Sequence, residues 1–498
     1  MSGGRSDLTA VQPVLNWPGK GQHASRPRPK PEDIVRFVPR ENAGADPSLL
    51  FRADARDAAR SLLETHAGRV DLIYLDPPFL VGTDFEACVR TGSRTERLFA
   101  YSDRWSSVGE YLCFMQEVLE ACHRLLADDG ALYLHVDRRT SHWLRCVLSE
   151  IFGVDRERGV IVWLLGNGVR TRGQWGCAHN DILCFSKGSR FKLRTERAAL
   201  REPFAAGSLQ SHFRNIDADG RRYRLRHING REYRYYADEG RVIGSVWADC
   251  PSMSARSPVL DQFTGYPTQK PERLLERIIE ASSDPGDLVV DLFCGSGTTP
   301  AVAQRLGRRW AASDAGRLAV ETTLARVLQT SGTPAIRVAD LGEPSSVASS
   351  PLLHSLADAP GGASGWRVHP EAHSASSLRS LVFASRFDLH AHLSPEGALN
   401  WNVHGSYIRM GRGSGWEQWS FGPGSVAAWT IRRGSSDLLL ACGQGRPPEN
   451  IGPDLGIDPG PLLLRLVDAY GFSAECTISR ATAPAGVSRH SESVRSMS

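Results

Sequence analysis

The sequence predicts an α/β fold with an open, covered sheet, and two stretches far apart in the chain carry that prediction. The first, Asp71-Leu72-Ile73-Tyr74-Leu75-Asp76-Pro77-Pro78-Phe79, is a run of strand formers that ends on an acid, two prolines and an aromatic ring. Proline has a locked φ and no N–H, so the strand stops at Pro77 and leaves a carboxylate, free carbonyls and a ring at its C-terminal lip. The second, Asp287-Leu288-Val289-Val290-Asp291-Leu292-Phe293-Cys294-Gly295-Ser296-Gly297-Thr298-Thr299, reads as strand, glycine turn and a helix starting near Thr298. Glycine lets the backbone come close to a ligand, and a helix start offers free N–H groups. Ligands of open α/β sheets bind at the C-terminal strand ends. Further apolar runs alternating with amphipathic helices complete the pattern of a covered sheet.

Length and composition set the outer bounds. At 498 residues the chain has room for two or three domains. With 41% hydrophobic and 23% charged residues it reads as a globular protein, and no run approaches the ~20 apolar residues of a membrane span. The start, Met1 to Asp46, lacks the apolar core of a secretory signal. Ten cysteines without a CxxC pair argue against structural zinc or a disulfide framework, which places the chain in a reducing cytoplasm. Cys177 and His179 read as packing residues, so no metal is expected. The net charge of +4 allows nucleic acid as a partner without requiring it.

Taken in order, residues 1–46 are rich in Pro, Gly and Arg and read as an irregular arm. Leu49-Leu50-Phe51 leads through Arg52-Ala53-Asp54 into a helix reaching Leu63; Asp54 suits a helix N-cap. Leu80–Ser107 reads as a polar, flexible loop over a site. A helix is expected from about Glu110 to Ala127, because Tyr111, Phe114, Met115, Val118, Cys122, Leu125 and Leu126 recur at helical spacing. Asp128-Asp129-Gly130 would close it before a strand from Ala131 to Val136. Strands follow at Val160–Leu164 and Ile182–Phe185, and His135 reads as a hydrogen-bonded core histidine. Residues 47–188 thus form one half of a domain.

Composition changes over 189–257. His212–Arg241 is dense in arginine and tyrosine, and Asp219-Gly220 and Asn229-Gly230 are tight-turn pairs. Arg221, Arg222, Arg224, Arg226, Arg231 and Arg234 could meet phosphates and guanine edges. Equally, Asp217, Glu232, Asp238 and Glu239 could make this a solvated hairpin module. Pro271 suits the first position of an amphipathic helix through Ile279. Residues 258–341 form the second half of the domain, in which Arg309-Trp310-Ala311-Ala312-Ser313-Asp314 puts an acid at a strand end. A dinucleotide-binding reading fails because Pro300 stands where a third glycine is needed. A linker at 342–376, a small β-rich domain of unreadable role at 377–481 and a disordered tail at 482–498 complete the chain.

Asp76-Pro77-Pro78-Phe79 together with the Asp291–Thr299 turn resembles the amino-methyltransferases that modify exocyclic nitrogens of DNA bases with S-adenosylmethionine. Tyr101-Ser102-Asp103-Arg104-Trp105, Leu132–Asp137, His179–Leu183 and Thr268-Gln269-Lys270-Pro271 also match, over roughly residues 50–330. The catalytic motif precedes the cofactor loop, as in the permuted β class. The resemblance implies a Rossmann-like methyltransferase sheet and a target-recognition region at 189–257. Asp76, Pro77, Pro78 and Phe79 would be catalytic. Asp54, Lys270, Asp291, Phe293, Gly295, Gly297, Thr298 and Asp314 would hold the cofactor, with Asp54 near the adenine, Asp291 near the amino-acid end and Asp314 on the ribose. The partner would be double-stranded DNA, with a homodimer and a separate restriction endonuclease as further expectations. Asp76 in the motif matches the adenine-N6 form, since serine is common there in cytosine-N4 enzymes. Cytosine-N4 or RNA methylation, and a catalytically idle binding subunit, stay as alternatives. The chain has no Pro-Cys nucleophile for C5 chemistry and no GxxxxGK[ST] loop.

Overall fold

The computed structural model describes residues 14–22, 32–37, 46–91, 94–166, 172–173, 175–253, 262–330 and 335–341, and beyond them strand segments between 366 and 480. The first elements are β1 (Glu32–Phe37), β2 (Ser48–Arg52), α1 (Ala55–His66), β3 (Val70–Leu75), β4 (Asp84–Thr91), β5 (Arg94–Ser102), α2 (Val108–Leu125), β6 (Leu126–Val136), α3 (Ser141–Phe152), β7 (Glu157–Leu164) and β8 (His179–Ser186). An inserted module holds β9 (Arg201–Glu202), α4 (Ala206–His212), β10 (Asn215–Ile216), β11 (Arg222–Ile228), β12 (Arg231–Tyr236) and β13 (Arg241–Val242). The chain then returns through β14 (Val246–Trp247), α5 (Glu272–Ser282), β15 (Leu288–Asp291), α6 (Thr298–Arg305), β16 (Arg309–Asp314), α7 (Arg317–Gln329) and β17 (Ile336–Asp340).

One ten-stranded sheet runs β1-β17-β2-β16-β15-β3-β6-β8-β7-β14. From β17 to β6 every pair is parallel, whereas β8 runs antiparallel to both β6 and β7. The strands of the parallel run are buried on both faces, as parallel sheets demand. Ile73 and Leu75 of β3 join Leu62 of α1, Met115 of α2 and Leu148 of α3 in one core. Leu72 and Tyr74 point the other way, into the core with Leu275 of α5, Val302 of α6 and Leu324 of α7. The result is three layers with the sheet in the middle.

The decisive pairing joins β3 to β15, with Val289 opposite Leu72 and Val290 opposite Ile73. Connections leave β3 toward β6 and leave β15 toward β16, in opposite directions, so a crevice opens at their C-terminal ends. At the other end of this pair the Asp71 carboxylate accepts from the Leu288 N–H at 3.0 Å and binds Lys192.

Several expectations change. Glu32–Phe37 forms an edge strand antiparallel to β17 inside the stretch expected to be irregular. Ile34, Val35 and Phe37 are strand formers that the Pro/Arg composition around them obscured. Leu15 and Trp17 of the same stretch pack on the core at α2 and α3. The expected loop at Leu80–Ser107 contains the β4/β5 hairpin, whose alternating Phe85, Ala87 and Val89 were read as polar loop. Helix α2 ends at Leu125, and β6 begins at Leu126 rather than Ala131. Pro271 caps α5 from outside the helix. The module at 189–257 is not wholly an insert, since β14 pairs with β7 in the main sheet. Residues 366–480 contain nine strands of a second, mostly antiparallel sheet, which includes a two-residue strand at Trp366–Arg367 within the expected linker. The tail at 482–498 lies outside the described residues.

Leu132, fully buried on the central strand β6, is expected to lose about 2–5 kcal/mol on replacement by alanine, as large-to-small core changes do. Leu225, 38% exposed on β11, is expected to lose under about 0.5 kcal/mol. Denaturant unfolding of L132A and L225A checks both.

Candidate active site

Asp76 follows β3 directly, and the register that sets Leu75 opposite Leu134 brings His135 of β6 beside it. The His135 Nδ1 lies 3.0 Å from Asp76 Oδ1, and the imidazole is fully buried. Asn180 donates its amide to Nε2 at 2.9 Å, so the ring proton sits on Nδ1 and faces the carboxylate. Burial lowers the His135 pKa against the pull of Asp76, which keeps the ring neutral. The other oxygen, Oδ2, accepts from the Lys270 ammonium, which also donates to the Thr268 carbonyl at 2.9 Å. Burial alone would raise the Asp76 pKa, but Lys270 and then His135 more than offset it and hold the group below the usual carboxylate range.

Phe79 sits edge-on to His135, with ring centroids 5.3 Å apart. A cavity of about 720 Å³ opens between this strand end and the glycine turn, and Asp54, Asp76, Phe79, Phe293 and Asp314 are on its wall. The turn is shaped by two glycines. Gly295 has φ +49, and a Cβ there would lie 3.2 Å from the Tyr266 ring. Gly297 has φ +74, and a Cβ there would meet the Thr323 backbone at 2.8 Å. Any side chain at Gly297 would therefore push α7 off the turn and strain the left-handed backbone.

Asp314 ends β16 and ties the turn down, accepting from the Gly295 N–H at 2.9 Å and the Gly316 N–H at 2.8 Å. Burial raises its pKa to about 6. Asp291 is pushed up to about 7, mainly by burial, with the charges of Asp76 and Asp314 adding to it. Asp76 and Asp314 thus add to the cost of ionising Asp291, an arrangement that a cationic ligand relieves.

The sequence-predicted residues divide by geometry. Asp76, Pro77, Pro78, Phe79, Asp54, Lys270, Asp291, Phe293, Gly295, Thr298 and Asp314 all line this cavity, and Gly297 supports it from behind. Asp54 caps α1 through the Arg56 N–H and holds the Arg56 guanidinium through two 2.9 Å bonds. Lys270, expected on the cofactor side, directs its ammonium to Asp76 instead. The arginines lie outside the cavity, on the hairpin. Arg221 pairs with Asp238 and Glu239, Arg222 donates to the Leu209 and Phe213 carbonyls, and Arg224 lies among Phe204, Phe213 and Tyr235. These three guanidinium groups make contacts within the module itself. Arg226, Arg231 and Arg234 remain exposed toward the hairpin tip. Asn229 and Gly230 at that tip both have positive φ, as the expected two-residue turn requires.

A family model described as DNA methylase matches residues 70–324. This chain belongs to that DNA methylase family. It is 28% identical to the type II methyltransferase M.EcaI of Enterobacter cloacae, over 63% of this chain and 77% of that protein. It is 31% identical to the DNA adenine methyltransferase YhdJ of Escherichia coli (strain K12), over 51% of this chain and 74% of that protein. A solved structure of the M1.HpyAVI–SAM complex aligns with 56% of this chain and 98% of that one, at 17% identity and a TM-score of 0.35.

The protein is thus a DNA methyltransferase, and S-adenosylmethionine is its cofactor. The cavity fits that molecule, because a glycine turn with no room for side chains stands beside buried acids that favour a cation. Two positions with positive φ outside glycine flank the methylase cavity, Leu80 at +59° and Thr268 at +55°, the kind of backbone strain that collects at functional sites.

Sequence reasoning passed over Asp103, although it lay in a quoted motif, and gave His135 only a structural role. An acid two residues before a tryptophan, near the end of a predicted loop, was the available signal for Asp103. Lys270→Met removes the charge that offsets Asp76 burial, so the Asp76 pKa rises. A methyl transfer that uses the ionised Asp76 carboxylate would have the acid limb of its pH–kcat profile moved to higher pH in K270M, with the rate at alkaline pH less affected.

Proposed function

We propose that this DNA methyltransferase acts on the exocyclic N6 of an adenine extruded from duplex DNA, with Asp76, Pro77, Pro78 and Phe79 as the catalytic residues. One observation carries the reading. Asp76 lies on the cavity wall and is held ionised by Lys270, and its Oδ1, approached by His135 Nδ1 at 3.0 Å, keeps a second lone pair for an amine N–H. The lone pair of an adenine amine is delocalised into the ring and is a poor nucleophile. Donation of its two hydrogens to Asp76 Oδ1 and the Pro77 carbonyl favours a tetrahedral nitrogen with a localised lone pair. Phe79 stacks on the extruded base. The cofactor supplies an electrophilic methyl group, and the cavity fixes the in-line approach, so positioning provides much of the acceleration. The nitrogen is cationic after attack and strongly acidic, and Asp76 takes its proton even though its own pKa is low.

The assignment to N6 rests on Asp76 at the head of the motif and on a relative named as an adenine methyltransferase. Cytosine N4 is the second reading, favoured only by the shared amine chemistry. We further read residues 47–188 and 258–341 as the catalytic and cofactor halves in permuted order, and the projecting part of 189–257 as the target-recognition region. A cytoplasmic homodimer working beside a separate restriction endonuclease completes the proposal, in keeping with its type II relatives.

Within that region the hairpin faces differ. Cross-strand pairing puts Arg226 opposite Tyr233 and Ile228 opposite Arg231. These four share one exposed face that carries two cations, an aromatic ring and no acid, and it is the face we assign to DNA. The opposite face carries Glu232 opposite His227.

Labelled methyl transfer to unmethylated plasmid DNA, followed by digestion to nucleosides, tests the reaction. N6-methyladenine from the wild type and none from Asp76→Ala is the expected result; N4-methylcytosine would move the assignment to the second reading. For the DNA face, R226A/R231A is expected to reduce the slope of log K against log salt by about 2, at roughly one unit per lost phosphate contact. Binding to plasmid DNA over a salt series checks this.

A further inference from the structure

The loop after the Asp-Pro-Pro-Phe motif presents consecutive backbone N–H groups, and one residue satisfies them all. Asp103 Oδ2 accepts from Phe79 at 3.0 Å and from Val81 at 2.9 Å, while Oδ1 accepts from Leu80 at 3.0 Å. The next N–H, that of Gly82, donates to the Asp103 carbonyl at 2.9 Å, and the Asp103 N–H donates back to Thr83 at 2.9 Å. The Trp105 indole adds a fourth donor to the carboxylate at 3.1 Å. Asp103 is only 1% exposed. Burial of this kind raises the energy of a carboxylate unless several hydrogen bonds compensate.

What the carboxylate holds is not a relaxed turn. Leu80 sits at φ +59°, in the left-handed region that a residue with a Cβ rarely adopts. Its N–H is the central one of the three. Without the anion these three donors would lose their common acceptor and Leu80 would be free to return to negative φ, turning the Phe79 peptide and the ring attached to it. A concave array of successive N–H groups of this type is an anion site, and here the chain fills it with its own side chain.

We infer that Asp103 is the positioning residue of the methyl transfer: it bends the backbone after Pro78 so that Phe79 and the Pro77 carbonyl face the cavity. This deepens the reading of Asp76–Phe79 as catalytic and rests on it. The Asp103 carboxylate bonds the loop after Pro78 and the Trp105 indole, so its influence is assigned to the target base and not to the cofactor.

Asp103→Asn keeps the shape but turns one acceptor into a donor aimed at backbone donors. Three readouts on the full chain test the role. Hydrogen exchange at the Phe79–Val81 amides is expected to quicken at least tenfold. The kcat for methyl transfer to plasmid DNA is expected to fall about 10²-fold, the scale of a misplacement near 1 Å. Cofactor affinity by calorimetry is expected to stay within about threefold. Leu80→Gly in the D103N background, which removes the cost of positive φ, is expected to recover about fivefold in kcat. Unchanged exchange, or quickened exchange with unchanged kcat, would overturn the proposal. Should D103N fail to bind cofactor, Trp105→Phe gives the milder version: loss of one donor must quicken the same amides and lower kcat, and no change in either counts against the role. Asp76→Ala run alongside separates the two claims, because a D76A protein that still methylates removes the catalytic reading itself.

Discussion

The parallel pairing of β3 with β15 is the contact on which the methyltransferase centre depends. Each strand carries its chemistry just past its last paired residue, Asp76 on one and the Asp291–Gly297 turn on the other. Neither strand end is a site alone. Their pairing, fixed at the far end by Asp71 and the Leu288 N–H, sets Asp76 and the glycine turn side by side on the wall of one cavity. Two-sided burial makes the register hard to slip, since a one-residue shift would turn Leu72 and Tyr74 toward the wrong helix layer.

The electrostatics follow from placing so many acids in one buried space. Asp76, Asp291 and Asp314 share the cavity, and the first and last resist the ionisation of Asp291. Only Asp76 is given a fixed cation, Lys270. That asymmetry divides the labour. Asp76 is charged before any ligand arrives, whereas Asp291, pushed up to about 7, is only partly so near neutral pH. A cofactor with a sulfonium and an ammonium supplies the missing positive charge, so binding it and ionising Asp291 are coupled. His135 complements this by staying neutral under Asp76, where a second cation would compete with Lys270.

Much of this was legible in the sequence because it is local. Strand formers running into Pro77, and a strand running into Gly295 and Gly297, state their own geometry through φ restrictions and missing side chains. The β4/β5 hairpin was missed because its alternation is short and interrupted by charged residues. Asp103 was missed because its role is a set of tertiary hydrogen bonds to Phe79, Leu80 and Val81, which no periodicity encodes. The contacts of the arginines were illegible for the same reason. Composition counts six cations, but only packing shows that Arg221, Arg222 and Arg224 are already spoken for by Asp238, by backbone carbonyls and by aromatic rings.

The ion pair between Lys270 and Asp76 spans 194 residues of chain. Synthesis runs from the N-terminus, so Asp76 and Phe79 emerge from the ribosome long before the lysine that stabilises the carboxylate or the strand that neighbours it. Until the later half arrives, β3 has an open edge and Asp76 is an uncompensated acid. The order of motifs therefore makes folding of the centre a late event, one that closes only when residues near 290 can dock, and a chain stopped short of that point would hold a base-facing loop with no means of using it.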